Sequence, residues 1–215
     1  MMALDTITGQ KLVDRILFEA GKKTPSGDFP PEWWIDAINE SVDSVVIQLV
    51  PICGFRFAVV ATPTIATNTL DLSASGLIPY GSVDQKPPTI IYVLDNSSIE
   101  IDWIHPKDAK VISTISAYDN KKYWYLLGST LTVALGSGAT ATGAWSVCHA
   151  KRRTAITTLV GVIDLDREFI PIVKADVNAK FISRLQMIDN KVTGDELAKA
   201  KKTYAESLSR FGVQT

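Results

Sequence analysis

Residues 122–135 read KYWYLLGSTLTVAL. Two runs of strand formers flank Gly128-Ser129, a pair that suits a two-residue hairpin turn opening on glycine. The stretch therefore predicts an antiparallel hairpin, and its neighbours extend the pattern in both directions. Downstream, Gly136-Ser137-Gly138 predicts the next turn, and Ala139 to Ala150 a last strand carrying Trp145. Upstream, Ser98 to Trp103 alternates, which places Ile99, Ile101 and Trp103 on one side. Thr89 to Leu94 is a compact apolar run. Leu70 and Leu72 alternate with Thr69, Asp71 and Ser73, and Phe55 to Val60 is rich in strand formers. Short strands joined by turns predict an antiparallel sheet, sandwich or small barrel. Ser75 to Pro88, with Gly76, Pro79, Gly81, Pro87 and Pro88, reads as a long exposed loop, a common kind of binding element.

Helical periodicity flanks this β region on both sides. Leu12, Val13, Ile16, Leu17 and Ala20 predict a helix from Gly9 to Ala20, capped by Thr6 or Thr8, with Gly21 just beyond its end. A loop follows at Thr24-Pro25-Ser26-Gly27-Asp28. The second helix starts near Pro30-Pro31-Glu32, with Trp34, Ala37, Ile38, Ser41, Val45 and Leu49 as its stripe and Pro51 as its end. Trp33 and Trp34 point about 100° apart on such a helix, so only one can face the core squarely. After Lys151-Arg152-Arg153, Asp164 to Glu168 leads into a helix marked by Ile172, Val173, Val177, Phe181, Leu185 and Ile188, closed by Asn190 and Lys191. Thr193-Gly194-Asp195-Glu196 has the form of a capping box. The last helix shows Leu197, Ala200, Tyr204, Leu208 and Phe211 on a charged background, and Gly212 stops it.

The expected fold class is α+β: a helical bundle formed by N- and C-terminal helices with an inserted antiparallel β domain. The expected divisions are 1–52, 53–150 and 151–215. Of the 215 residues, 46% are hydrophobic and 21% charged, an ordinary globular balance that allows a sizeable core. The formal charge of -1 gives no general reason to expect nucleic acid or an anionic membrane as partner. The first residues have neither a basic nor an apolar signal region. The apolar runs, such as Val45 to Ile52, are broken by Gln48 and Pro51. A soluble intracellular product with no membrane partner is expected.

Few residues point to chemistry. Cys53, Cys148 and His149 are the only conceivable zinc set, and no CxxC is present, so two buried free thiols are expected. His105 and His149 are the only histidines, and no G-x-S-x-G surrounds a serine. Gly136, Gly138 and Gly143 sit between strands, where turn geometry explains them better than a phosphate loop. Asp164, Asp166 and Glu168 alternate as cation ligands can, but acidic residues also gather before helices for the dipole. Lys151-Arg152-Arg153 suits phosphates or an exposed junction. Tyr118, Tyr123, Trp124 and Tyr125 suit sugar stacking or a hairpin's packing. On this reading the protein has no catalytic, metal or cofactor site, and it is not an enzyme.

Three segments carry a resemblance. They are Trp33-Trp34-Ile35-Asp36-Ala37-Ile38-Asn39-Glu40, Thr142-Gly143-Ala144-Trp145, and Ile163-Asp164-Leu165-Asp166 followed by Phe169-Ile170-Pro171-Ile172-Val173 with Ala175 and Ala179. Together with the charged helix from Glu196 to Arg210, the chain resembles the head-to-tail adaptor (head-completion or tail-tube gatekeeper) proteins of tailed bacteriophages. The resemblance implies a homo-oligomeric twelve-subunit ring in the neck of the virion, assembled in the host cytoplasm. It implies the phage portal protein as partner on one side and a tail or nozzle protein on the other. DNA passes through the lumen, where non-specific contact with it is possible, and no reaction is catalysed. The loop Ser75 to Pro88 and the pair Cys148-His149 depart from the family pattern. Candidate interface residues are Trp33, Trp34, Arg152, Arg153, Tyr204, Leu208 and Phe211. The alternatives are another tail or neck completion protein, a carbohydrate-binding β module using Tyr123, Trp124 and Tyr125, and, more distantly, an enzyme with a site assembled from Asp164, Asp166 and His149.

Overall fold

A computed structural model describes residues 7–21, 27–65, 68–78, 85–188 and 192–213. The expected alternative cap Thr6, most of the loop from Thr24, and the helix-closing Asn190 and Lys191 lie outside these residues. The protein is mixed α+β, with helices and several antiparallel sheets. It divides into two compact units, residues 1–52 with 153–215 and residues 53–152.

In the first unit, α1 spans Gly9–Glu19 and buries Leu12, Val13, Ile16 and Leu17. Thr8 is its N-cap, its hydroxyl oxygen accepting from the Lys11 N–H at 3.3 Å. Two more orphan donors of the first turn find carbonyls in a later segment. Gly9 N–H donates to Gly161 O at 3.0 Å and Gln10 N–H to Leu159 O at 2.6 Å. Gly21, at φ +67°, follows the end of the helix.

Helix α2 spans Pro31–Cys53. All six expected stripe residues are buried, and Val42, Val46 and Val50 widen the stripe. Pro51 does not end it. Proline's own φ is helical, so the break falls just beyond, at a 3₁₀ turn over Gly54–Arg56. The span 31–56 is long and apolar enough to cross a membrane by length and composition alone. Its apolar stripe is packed in the core of this unit. The Asn39 amide on α2 holds both backbone groups of Ile156, donating to its carbonyl at 3.0 Å and accepting its N–H at 2.9 Å. Asn39→Ala leaves both unpaired and is expected to cost about 1–3 kcal/mol in urea unfolding.

Helix α3 spans Ile170–Ile188 and α4 spans Gly194–Ser209. The capping box forms at Thr193 and Glu196. The α3 stripe is buried through Phe181, but Leu185 is half-buried and Ile188 exposed. The last turns of α3 border an open groove instead of the core. Phe29, Trp34 and Phe181 pack ring to ring, Phe29–Phe181 at 4.8 Å and Trp34–Phe181 at 5.2 Å.

In the second unit, β1 (Ala58–Ala61), β9 (Ser146–Ala150) and β4 (Ile90–Leu94) form one sheet in the order β1-β9-β4. β2 (Thr64–Ile65) pairs with β8 (Gly143–Ala144). β3 (Thr69–Asp71), β7 (Thr130–Leu135), β6 (Lys122–Leu127) and β5 (Asp102–Trp103) form a third sheet in the order β3-β7-β6-β5. The β6–β7 hairpin closes with Leu127 opposite Thr130, over Gly128 at φ +60°. The core gathers Ile65, Leu72, Val93, Trp124, Val133 and Trp145 among others.

Four expectations in this unit are corrected. Phe55 and Arg56 are in the 3₁₀ turn, so the first strand begins at Ala58. The stretch 98–103 is not one alternating strand. Ser98, at φ +60°, turns the chain, leaving Ile99 63% exposed while Ile101 is buried. Only Asp102–Trp103 forms a strand, and it runs parallel to β6, so the β region is not wholly antiparallel. The expected last strand breaks at Trp145, whose N–H donates to Pro63 O at 2.9 Å, next to Gly143 at φ +90°. The start of the expected loop is packed: Leu77 and Ile78 are buried and Leu77 bridges to Lys151. Residues 79–84 lie outside the described chain.

Candidate functional site

Three helices of the first unit enclose an open groove of about 880 Å³. Helix α2 contributes Trp33, Asp36, Ala37 and Glu40. Helix α3 contributes Asp176 to Ile188 at helical spacing, and α4 contributes Lys201 and Tyr204. The positions follow from periodicity. The core stripe of α2 takes Trp34, so Trp33 falls about 100° away, on the groove side. There its ring meets Phe29 edge-on at 5.0 Å, and the Arg184 guanidinium sits 5.3 Å from it.

The floor is apolar and the rim is charged. Lys180 joins α2 to α3, donating to Ser41 Oγ at 3.0 Å and lying 3.4 Å from the Glu40 carboxylate and 3.2 Å from that of Asp176. Tyr204 is oriented by Gln48, whose Nε2 donates to its hydroxyl at 2.8 Å and to Ser44 Oγ at 3.0 Å. Met187, 82% exposed, stands at the mouth. An open apolar trough with fixed charges on its rim has a shape and chemistry that a helix or a large apolar side chain fits.

The expected interface residues separate. Trp33 and Tyr204 come together in the groove. Trp34 and Leu208 are buried in the core of this unit, where the stripes of their helices turn them inward. Phe211 is half-buried and packs on Phe169 at 5.3 Å. Arg152 is exposed and Arg153 half-buried, at the junction in the chain between the two units. Arg184 and Met187 were not singled out from the sequence, where they read as an ordinary helix surface.

The other candidates have structural roles. Trp124 is fully buried and its Nε1 donates to Ile101 O at 3.0 Å, so it cannot form a sugar platform with Tyr123 and Tyr125. Tyr123 meets Tyr118 edge-on at 5.6 Å. Asp164 accepts from the Thr154 N–H at 3.0 Å. Among the described residues no three His, Cys, Asp or Glu side chains gather as metal ligands do. Burial pushes the Cys148 thiol up from its ordinary pKa, which keeps it protonated.

No protein-family model and no curated protein matches the chain.

One juxtaposition was invisible in the sequence. His149 Nε2 lies 2.8 Å from Ser75 Oγ, and its Nδ1 lies 3.1 Å from Ala150 O. The Ser75 hydroxyl itself donates to Leu72 O at 2.7 Å. The imidazole is wholly buried, so no substrate reaches it, and the pair ties the Ser73–Ser75 turn to β9. Burial holds the His149 pKa below its ordinary value, and the nearby Lys151 charge adds to this, against the Ala150 carbonyl. With the folded pKa lowered, the unfolded chain binds the proton better. His149 therefore stabilises the fold above pH about 6.5, and that contribution is lost as pH falls below it. Melting temperature is expected to drop between about pH 7 and 5, and the drop is expected to shrink in His149→Gln.

Proposed function

We propose that this chain is a structural subunit whose work is assembly: a head-to-tail adaptor of a tailed bacteriophage. In this reading the helical unit is a bundle made from both ends of the chain, and the β unit is inserted into it. Subunits form a twelve-membered ring in the neck of the virion, bound to the portal on one side and to a tail or nozzle protein on the other. DNA passes through the lumen. The chain transforms no substrate and uses no cofactor.

The observation that carries the reading is the groove between α2, α3 and α4. Large apolar side chains stand exposed around this unit, among them Phe18, Val160 and Met187. A lone subunit gains nothing from such exposure, whereas a subunit in an assembly covers it. The sequence resemblance supplies the kind of assembly. Light scattering and negative-stain electron microscopy, with and without portal rings, test it. Closed rings are expected; a chain that stays monomeric even with portal present overturns the reading.

A further inference from the structure

We infer that the groove is filled by α1 of a second copy of this chain, with Phe18 as the inserted residue. The inference deepens the assembly reading and rests on it. Phe18 is 83% exposed near the end of α1. None of the groove's lining residues comes from α1, so the chain's own Phe18 does not occupy it.

Charge pattern selects the occupant. Lys11, Arg15 and Phe18 are spaced i, i+4, i+7, so they share the exposed face of α1. The α2 wall of the groove presents Asp36 and Glu40, also spaced i, i+4. Four residues rise about 6 Å on either helix, so two cations meet two carboxylates at one pitch. Among the described residues Lys11, Arg15 and Asp36 have no ion-pair partner, and Glu40 only shares Lys180 with Asp176. Beyond the charges, Phe18 reaches the apolar end of the trough, where Met187 and Ile188 are exposed.

The contact joins two different surfaces, α1 of one copy and the groove of the next. Such a heterologous contact propagates and closes into a ring when its rotation permits, whereas a two-fold contact stops at a dimer.

Complementation of Phe18→Ser with Met187→Asp tests this. Both positions are exposed, so both variants are expected to keep the folded subunit, read as an unchanged far-ultraviolet circular dichroism spectrum, while losing whatever extra thermal stability assembly gives the wild type. Wild-type chain is expected to form a closed oligomer by light scattering. Each variant alone is expected to be monomeric, its association weakened by at least about tenfold, equivalent to about 1.4 kcal/mol. Mixed in equal amounts they retain one good junction, Phe18 of the Met187→Asp chain against the groove of the Phe18→Ser chain, and are expected to stop at a two-chain species. Arg15→Glu is expected to weaken assembly and Asp36→Arg in the same chain to restore it, because Arg15 lies one turn from Phe18 and Asp36 is the carboxylate nearer the Met187 end of the groove. Assembly of Phe18→Ser at wild-type strength, or a mixture that remains monomeric, overturns the inference. Wild-type chain that is monomeric alone yet forms rings on the portal overturns this contact and leaves the assembly reading standing. Monomers under both conditions remove both.

Discussion

Gly136→Ala is expected to destabilise the β unit by about 3 kcal/mol or more, a loss at the upper end of what overpacking causes. A Cβ at Gly136 would collide with the Tyr118 carbonyl oxygen and lie 2.7 Å from its carbon. Those atoms are backbone, and they are held in place. Tyr118 O accepts from the Lys121 N–H at 3.0 Å, Gly136 N–H donates to Lys121 O at 2.9 Å, and Asn120 N–H donates to Ser137 O at 2.8 Å. The turn at 118–121 is thus folded onto the turn that follows β7, and only a residue without a side chain lets them touch. Two neighbouring glycines separate this cause from backbone conformation. Gly128 has φ +60° and open space around it, so Gly128→Ala shows the conformational cost alone, about 1–2 kcal/mol. Gly138, at φ +79°, meets only the Asn120 side chain, which can rotate away. Urea unfolding is expected to rank Gly136→Ala well below Gly128→Ala and Gly138→Ala in stability. Equal losses at positions 136 and 128 would show that the close approach is not there.

The elements that declared themselves in the sequence are those whose causes are local. Thr8 and the box at Thr193 and Glu196 cap their helices because capping needs only residues three apart. Gly128-Ser129 turns a hairpin for the same reason. The stripes of α1 and α2 were legible because each faces one continuous core. Where the reading failed, a distant partner decided the outcome. Ile99 looks like a strand residue until the Asp95 turn rotates it outward, and Trp124 looks like one aromatic among three until Ile101 claims its indole N–H. Half of the candidate site was legible in the same sense. Trp33 follows from its place beside Trp34 on one helix, and Tyr204 from the stripe of α4. That they border one groove with Arg184 and Met187 depends on how three helices pack, which no spacing along the chain encodes. Ser75 meets His149 across 74 positions with no motif to announce it.

Asp95→Ala is expected to cost about 3–5 kcal/mol, the usual penalty for removing one partner of a buried pair. Asp95 is 7% exposed at the end of β4. One carboxylate oxygen accepts from Lys122 Nζ at 2.7 Å, and the other from the N–H groups of Ser97 at 2.9 Å and Ile99 at 3.0 Å. Those bonds hold Ser98 at φ +60°, a conformation that costs a non-glycine residue about 1–2 kcal/mol. Alanine strips both N–H groups of their acceptor and leaves a half-buried ammonium without its counter-charge. An asparagine amide would retain the acceptor for the turn and lose only the charge, so Asp95→Asn is expected to cost less, about 1–3 kcal/mol. Burial pushes the Asp95 carboxyl up, but Lys122 and the two N–H groups outweigh it, and the net pKa lies below the ordinary carboxylate value. A lowered folded pKa means that the unfolded chain takes up the proton first as pH falls. The contribution is complete well above the unfolded carboxylate pKa of about 3.9 and disappears as pH drops through that value toward the folded one. Acid unfolding of the wild type is therefore expected to steepen below about pH 4, and Asp95→Asn to lose that steepening while keeping the His149 slope at higher pH. If Asp95→Ala proves no more costly than Asp95→Asn at neutral pH, the two backbone bonds contribute nothing, and the turn at Ser98 must be held by other means.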